Sequence, residues 1–391
     1  MVNTKDYKTK TIFQERRTPS GKNWMIGLDV GYSGVKVFSP NAVACFPAYA
    51  VRETAPVTKI AIAGYDEPEG TDIRYQDEAG NIWSVGETAQ DSISVEDTSA
   101  GSNALFVRNR YDSPSFKVCM RVGLAAGMRA NSCGNPSGRK IKVMTGLPPK
   151  YMASDKDALI SAISGHHRFS VMFGSKWEHF DFTIDKADVN VMDQPEGTLI
   201  SIATDANMHM MPDARNYFTG KVLIMDTGFG TLDLFPVMRQ KISRDMCNTF
   251  PDLGMRAVLE DTAREIFSRY NFEVSVPAMQ QYLERGFVFE KTEKGRSKVP
   301  FADILEASSR KICQRAVRQI EEIYDPAIRF DYFVISGGTG AAWTDFIKED
   351  PYFAGSDTVV IVRGNQGDPT LPDIFNNVRG YYIFGAAQKG N

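Results

Sequence analysis

The chain has 391 residues, 42% hydrophobic and 24% charged, which is length enough for two lobes that each bury a core. A formal net charge of -3 provides no bulk attraction for nucleic acid or an anionic membrane, so any link to DNA is expected to be indirect. Five scattered cysteines without C-x-x-C or metal-ligand spacing fit structural thiols in a reducing cytoplasm, and no apolar run reaches bilayer length.

Residues 1–21 are polar, carry Lys5, Lys8, Lys10, Arg16 and Arg17, and are expected to be a mobile or loosely docked N-terminal extension. The apolar run 24–28 predicts a buried strand that delivers Asp29 into the turn Gly31-Tyr32-Ser33-Gly34. Strands 35–38 and 42–47 follow. From about 50 to 100, short alternating segments (58–62, 73–75, 82–85) between Asp, Glu and Gly turns predict a small β-rich insertion. Next come a helix over 116–126, a strand over 141–146, a helix over 156–163, and strands over 169–173, 179–184 and 188–192. Gln194-Pro195-Glu196-Gly197 then opens an apolar helix through 206, proline suiting a first turn.

The second half repeats the opening. Residues 222–225 lead into Asp226-Thr227-Gly228-Phe229-Gly230-Thr231, followed by a hairpin through 242. Gly254 starts an amphipathic helix through Phe267, 278–298 reads as helical then loop-like, and 304–324 is a long helix. The buried strand 332–336 enters the glycine turn Gly337-Gly338-Thr339-Gly340, after which a strand over 359–362 and a helix over 375–388 close the chain. The four histidines are expected to be surface or packing residues.

The paired turns carry the chemistry. Glycine allows a tight turn and unobstructed main-chain N–H groups for anionic oxygens. Ser33, Thr227 and Thr231 add hydroxyl donors, and Lys36 can neutralise phosphate charge. An aspartate at the end of each strand suits magnesium, which keeps its water and takes one or two carboxylates plus phosphate. Taken singly, either turn is also an ordinary hairpin; the matched pair points to a nucleotide gripped from two sides.

These motifs, in this order, resemble the actin, sugar kinase and DnaK-type chaperone superfamily. Asp29-x-Gly31-x-Ser33 resembles its first phosphate loop, Asp226-x-Gly228-x-Gly230-Thr231-x-Asp233 the second, and Ser336-Gly337-Gly338-Thr339-Gly340 the adenosine loop. Thr145-Gly146-Leu147-Pro148-Pro149 and Val189-Asn190-Val191-Met192 point within it to bacterial actin-like plasmid-segregation proteins of the ParM type, a likeness running from about Trp24 to Gln388. The resemblance implies an α/β, actin-like two-lobed fold with duplicated ribonuclease-H-like βββαβα cores and a nucleotide cleft between them. Domain I would be 22–215 plus 373–391, with the insertion at about 50–100, and domain II 216–372, with a helical insertion at about 255–325.

It further implies a magnesium-dependent ATPase, with GTP as the alternative nucleotide. Asp29 and Asp226 would hold magnesium through water. Gly31, Tyr32, Ser33, Lys36, Thr227, Gly228, Gly230 and Thr231 would line the phosphates. Gly337, Gly338, Thr339 and Gly340 would pass close to the adenosine, with Gly254 on the ribose side. Glu196 would orient the attacking water, with Gln194 the competing candidate and a first-turn acid at a helix N-terminus the structural alternative. Lys311 and Arg315 flank the base or form a solvated face. Asn377-Val378-Arg379-Gly380 resembles the second hinge. The implied function is a cytoplasmic protein whose ATP-dependent filaments disassemble after hydrolysis and drive plasmid DNA segregation. Its partners would be other copies of itself and a ParR-like DNA-binding adaptor at a centromere-like site, with no direct nucleic-acid or membrane binding. The alternative is a small-molecule kinase on the same fold. A chaperone-like ATPase is disfavoured for want of a peptide-binding domain.

Overall fold

The computed structural model describes residues 2–19, 21–54, 70, 72–92, 110–242, 244–293, 295–324, 330–355 and 359–388. The expected strand at 58–62 lies outside them. The chain divides into a first unit (9–146, 154–192 and 384–391) and a second (1–8, 147–153 and 193–383).

The first unit contains β1 (Ile12–Glu15), β2 (Trp24–Val30), β3 (Gly34–Phe38), β4 (Ala42–Pro47), β5 (Ala50–Arg52), β6 (Ile73–Gln76), β7 (Ile82–Val85), α1 (Glu87–Asp91), α2 (Pro114–Gly127), β8 (Ile141–Leu147), α3 (Met152–Ile163), β9 (Gly165–Met172), β10 (Trp177–Ile184) and β11 (Val189–Asp193). Six strands form one sheet in the order β1-β4-β3-β2-β8-β11, with β2 buried along its whole length. The pairs β1–β4, β4–β3 and β3–β2 are antiparallel, and β2–β8 is parallel. Helix α2 lies close on β2 and β3 because it presents glycine there: a Cβ on Gly123 would sit 2.9 Å from both Leu28 and Val35. Close packing of that kind fixes the strand end that carries Asp29.

The expected insertion is part of a second sheet, ordered β10-β9-β6-β7-β5. Arg121 of α2 anchors it, donating to the Tyr75 hydroxyl at 2.7 Å and to Glu78 at 2.8 Å. That bonding holds the Glu78 carboxyl down at about 2, while burial drops His167 to about 4. His167 is thus a neutral packing residue.

The second unit contains α4 (Gln194–Ile202), α5 (Ala214–Thr219), β12 (Lys221–Thr227), β13 (Leu232–Met238), β14 (Lys241–Ile242), β15 (Asn248–Phe250), α6 (Met255–Tyr270), α7 (Val276–Arg285), β16 (Phe287–Thr292), β17 (Gly295–Pro300), α8 (Ala302–Tyr324), β18 (Tyr332–Ser336), α9 (Gly337–Glu349), α10 (Pro351–Ala354), β19 (Val360–Arg363) and α11 (Asn376–Ala387). Its main sheet runs β14-β13-β12-β18-β19, with β15 also paired to β13. As in the first unit, the strand that delivers the aspartate has an antiparallel hairpin partner on one side and a parallel neighbour on the other. One face of the sheet packs on α6, α7 and α8 through Leu223, Met225, Val258, Leu283 and Ile312. The other packs on α4 and α5 through Val222, Ile224, Leu199 and Tyr217.

Two features bear on the expected organisation. The N-terminal segment is docked at both of its ends. In the second unit the Thr4 hydroxyl donates to the Leu283 carbonyl at 2.7 Å, and buried Tyr7 reaches Ser309 at 3.1 Å. In the first unit, β1 extends the sheet along β4. The basic residues masked two anchors, Tyr7 and Ile12. Residues 193–215 and 373–383 group with the second unit. Leu199, Ile202 and Tyr217 bury their apolar surface against β12 and β13, which sequence order alone does not show. Of the five cysteines, Cys45, Cys119 and Cys313 are buried, Cys247 is half-buried and Cys133 is exposed.

Candidate nucleotide site

The first unit supplies one turn. Across the β2–β3 hairpin Asp29 faces Lys36, whose Nζ donates to Asp29 Oδ2 at 3.0 Å. Lys36 therefore compensates the aspartate in addition to any phosphate role. The Gly31 amide donates to the Gly34 carbonyl at 3.0 Å, and a Cβ on Gly31 would lie 2.8 Å from Lys36 Nζ and 2.9 Å from that carbonyl. Tyr32 and Ser33 are half-buried, and the Ser33 carbonyl accepts from Ala48 N at 2.9 Å. Asp29, Gly31, Tyr32, Ser33 and Lys36 thus share one turn.

In the second unit the turn after β12 is clamped between two helix starts. Its carbonyls at Gly228 and Phe229 accept from Met255 N at 3.2 Å and Arg256 N at 2.8 Å, the first amides of α6. Gly254 precedes them as N-cap, and a Cβ there would come within 2.6 Å of the Phe229 carbonyl. Its glycine character is accounted for by the turn. The Thr339 hydroxyl donates to the Gly228 carbonyl at 2.7 Å. Gly337 has φ +82°, and a Cβ there would run into the Thr227 carbonyl. The predicted glycine turn Gly337, Gly338, Thr339, Gly340 is the first turn of α9, its N-terminus beside Asp226.

Asp226 is oriented by a buried polar chain that the sequence reading did not assemble. Asn377 Nδ2 donates to Asp226 Oδ2 at 2.6 Å, and its Oδ1 accepts from the Thr198 hydroxyl at 2.6 Å. Thr198 also meets Ser336 Oγ at 2.9 Å, to which Asn376 Nδ2 donates at 3.3 Å. Asn377 thereby fixes the orientation of the Asp226 carboxylate. The only advance signal was its place in the hinge-like segment. Arg379 there donates to Ser201 and Thr204 oxygens at 2.8 to 3.3 Å, closing the C-terminal end of α4.

Asp226 faces Asp233 across β12 and β13, the position Lys36 holds in the first unit. Asp233 is buried and accepts from Thr231 at 3.0 Å and Thr249 at 2.5 Å. Burial, helped by the charge of Asp226, pushes its carboxyl up to about 7. Asp233 thereby tethers Thr231.

Helical register separates the two candidates on α4. Gln194 shares a face with Gly197, Thr198 and Ser201, the residues that meet α11 and the Asp226 chain. Glu196 lies about 200° away around the helix. Its carboxylate bonds back to the Asp193 amide, the reach of an N3 residue in a capping box. Burial, then the charge of Asp193, raises the Glu196 carboxyl. Asp193 is the N-cap, but its carboxylate caps no amide; it takes a two-pronged ion pair from Arg244 at 2.6 and 3.4 Å. The geometry thus joins Gln194, not Glu196, to the face that carries the Asp226 network.

The turns fit a phosphate ligand. Thr227 Oγ1 is buried without a hydrogen-bond partner, and a Cβ on Gly228 would meet nothing within 4 Å. Among the described residues no three His, Cys, Asp or Glu side chains gather as a metal cage. Each turn presents one carboxylate, Asp29 in the first unit and Asp226 in the second. Lys311 and Arg315 pair with Asp261 at 2.9 Å and Asp252 at 3.0 Å, the solvated-face arrangement. Among the described residues no helix is long and apolar enough to cross a membrane.

Residues 27–197 match the family model described as actin-like proteins, N-terminal domain. Among solved structures, the chain is similar to a 15-stranded ParM filament from Clostridium botulinum, at 17% identity and TM-score 0.69 over 93% of this chain and 99% of that one. It is similar to an archaeal actin homolog in complex with ADP, at 14% identity and TM-score 0.62 over 93% and 100%. It is also similar to the actin-like protein Alp7A, at 16% identity and TM-score 0.60 over 93% and 96%. Among curated proteins none matches the sequence. The chain has an actin-like α/β fold.

Proposed function

We propose, from the premise of an actin-like fold with an aspartate–glycine turn in each unit, that this chain is a magnesium-dependent ATPase that polymerises with ATP bound and disassembles after hydrolysis. The observation that carries the reading is the turn after β12, where two helix starts, the Asn377-oriented Asp226 and the unpartnered Thr227 hydroxyl converge. A fold shared with a filament-forming ParM supports the polymer.

In this reading Asp29 and Asp226 hold magnesium through water. The ion, when bound, offsets phosphate charge and polarises the terminal phosphoryl group. Asn377 orients the Asp226 carboxylate, and Lys36 pairs with Asp29. The turn amides, Ser33, Thr227 and Thr231 bind phosphate oxygens, while Gly337, Gly338, Thr339 and Gly340 let the α9 start approach the nucleotide. We assign the orientation of the attacking water to Gln194, since phosphoryl transfer asks mainly for positioning. Glu196, the residue first favoured, takes the capping role.

ATP selects an assembly-competent conformation and hydrolysis releases it. Head-to-tail contacts that do not close give open filaments. Plasmid segregation through a ParR-like adaptor is the proposed use of the filament, in the cytoplasm. The test is light scattering and pelleting of the purified protein with ATP, GTP, ADP or no nucleotide, each with magnesium. Polymer with ATP that decays as phosphate is released is expected. Hydrolysis by a protein that stays monomeric at high concentration would overturn the filament, and turnover only with an added small-molecule acceptor would make the chain a kinase.

A further inference from the structure

Arg110 opens a short 3-10 turn ahead of α2, and only 9% of it is exposed. Its Nη2 donates at 2.6 Å to the carbonyl of Val30, the residue between Asp29 and Gly31. The guanidinium carbon stands 4.3 Å from the ring centre of Tyr32, inside the first turn, and 5.6 Å from that of Phe116. Among the described residues its Nη1 is buried with no hydrogen-bond partner. Asp29 takes Lys36, and Asp155 takes Ser154 at 2.6 Å and Tyr111 at 3.4 Å. Among the described residues Arg110 forms no ion pair.

A guanidinium stays charged in a protein, and burying one without a counter-charge is costly. Two aromatic faces offset part of that cost and supply no hydrogen-bond acceptor. Five donors in a planar fork with one bond made, seated on a turn of Asp-x-Gly type, form half of an anion site. We propose that Arg110 is a phosphate-binding residue, its free Nη1 donating to a polyphosphate oxygen of the nucleotide held at the turn after β2. The inference rests on the nucleotide reading above. It adds a cation from outside every motif that suggested that reading.

The proposal implies opposite effects on the free and bound protein. Removing the charge relieves a buried cation when no ligand is present, yet weakens the ligand that would have matched it. The experiment compares wild type with Arg110→Met and Arg110→Gln, reading thermal melts and calorimetric binding of magnesium-ATP, pyrophosphate and adenosine. We expect both variants to melt no lower than wild type without ligand, to bind ATP and pyrophosphate at least tenfold more weakly, and to bind adenosine unchanged. Equal ATP affinity in the variants overturns the proposal. So does a lowered ligand-free melt with ATP and adenosine affinity lost together, which is the signature of a packing role. Should the Met variant not fold, the Gln variant, which keeps a donor for the Val30 carbonyl, decides by the same readings. If wild type itself binds neither ATP nor pyrophosphate, the nucleotide reading fails first.

Discussion

In the proposed reading, Gln194 and Glu196 on the first turn of α4 take separate roles. Gln194→Ala should slow ATP turnover on the order of 100-fold with nucleotide affinity kept and polymers longer-lived. Glu196→Ala should instead cost about 1 kcal/mol of stability as a lost cap and leave turnover near wild type. Steady-state phosphate release and thermal melts on the two variants separate the roles, and the reverse pattern returns the catalytic assignment to Glu196. Asp233 makes a different prediction. Its carboxyl is raised from an ordinary 3.8 to about 7 in the folded chain, so between roughly pH 4 and 7 the folded state keeps a proton that the unfolded state has released. Stability from this group therefore falls as pH rises through that window and is lowest above it, by up to about 4 kcal/mol for a shift of this size. In nucleotide-free protein, Asp233→Asn should gain on wild type progressively from pH 5 to pH 7.5. A difference in melting temperature that stays flat over that range would show that Asp233 ionises normally.

At the scale of elements, what was legible is what local pattern controls. The runs 24–28 and 222–225 are apolar and end in Asp-x-Gly, so β2 and β12 were apparent with their turns. The long helices declared themselves by period, and α8 covers Ala302–Tyr324 where 304–324 was expected. The hairpin β16–β17 was not legible. Glu290, Lys291, Arg296 and Lys298 leave it little apolar alternation, and its pairing has no local signature beyond the turn. Nor could sequence order show that β6 pairs with β9 across nearly a hundred residues, which turned an isolated insertion into part of one sheet. The choice between Gln194 and Glu196 on α4 depends on a third property. Two candidate side chains two positions apart differ mainly in helical phase, and that phase has meaning only once α11 is known to cross α4. At that crossing Gly197 and Gly380 meet backbone to backbone: a Cβ on Gly197 would lie 2.6 Å from the Asn377 carbonyl, and one on Gly380 would overlap Gly197 itself. Glycine to alanine inside a helix ordinarily stabilises by about 1 kcal/mol. Here Gly380→Ala should destabilise by about 3 kcal/mol, because backbone cannot step aside as a side chain can. A melting temperature that rises instead would mean the helices separate freely.

Across the whole molecule, the duplicated plan is a repeat of architecture without a repeat of chemistry. Both main sheets deliver an aspartate from a strand flanked by one antiparallel and one parallel neighbour. The residue facing that aspartate is Lys36 in one sheet and Asp233 in the other. One turn therefore carries its own cation, and the other carries a carboxyl held near neutrality by burial. The single exposed cysteine has a practical consequence for following assembly. Burial pushes the thiols of Cys45, Cys119 and Cys313 up to about 12 and that of Cys247 to about 11, so they are poor nucleophiles at neutral pH. Cys133 alone is open to reagent, in the loop after α2. A maleimide fluorophore added to the unaltered protein should therefore mark one known position per chain, which lets growth and shrinkage of the proposed filament be tested under a microscope without engineering the chain.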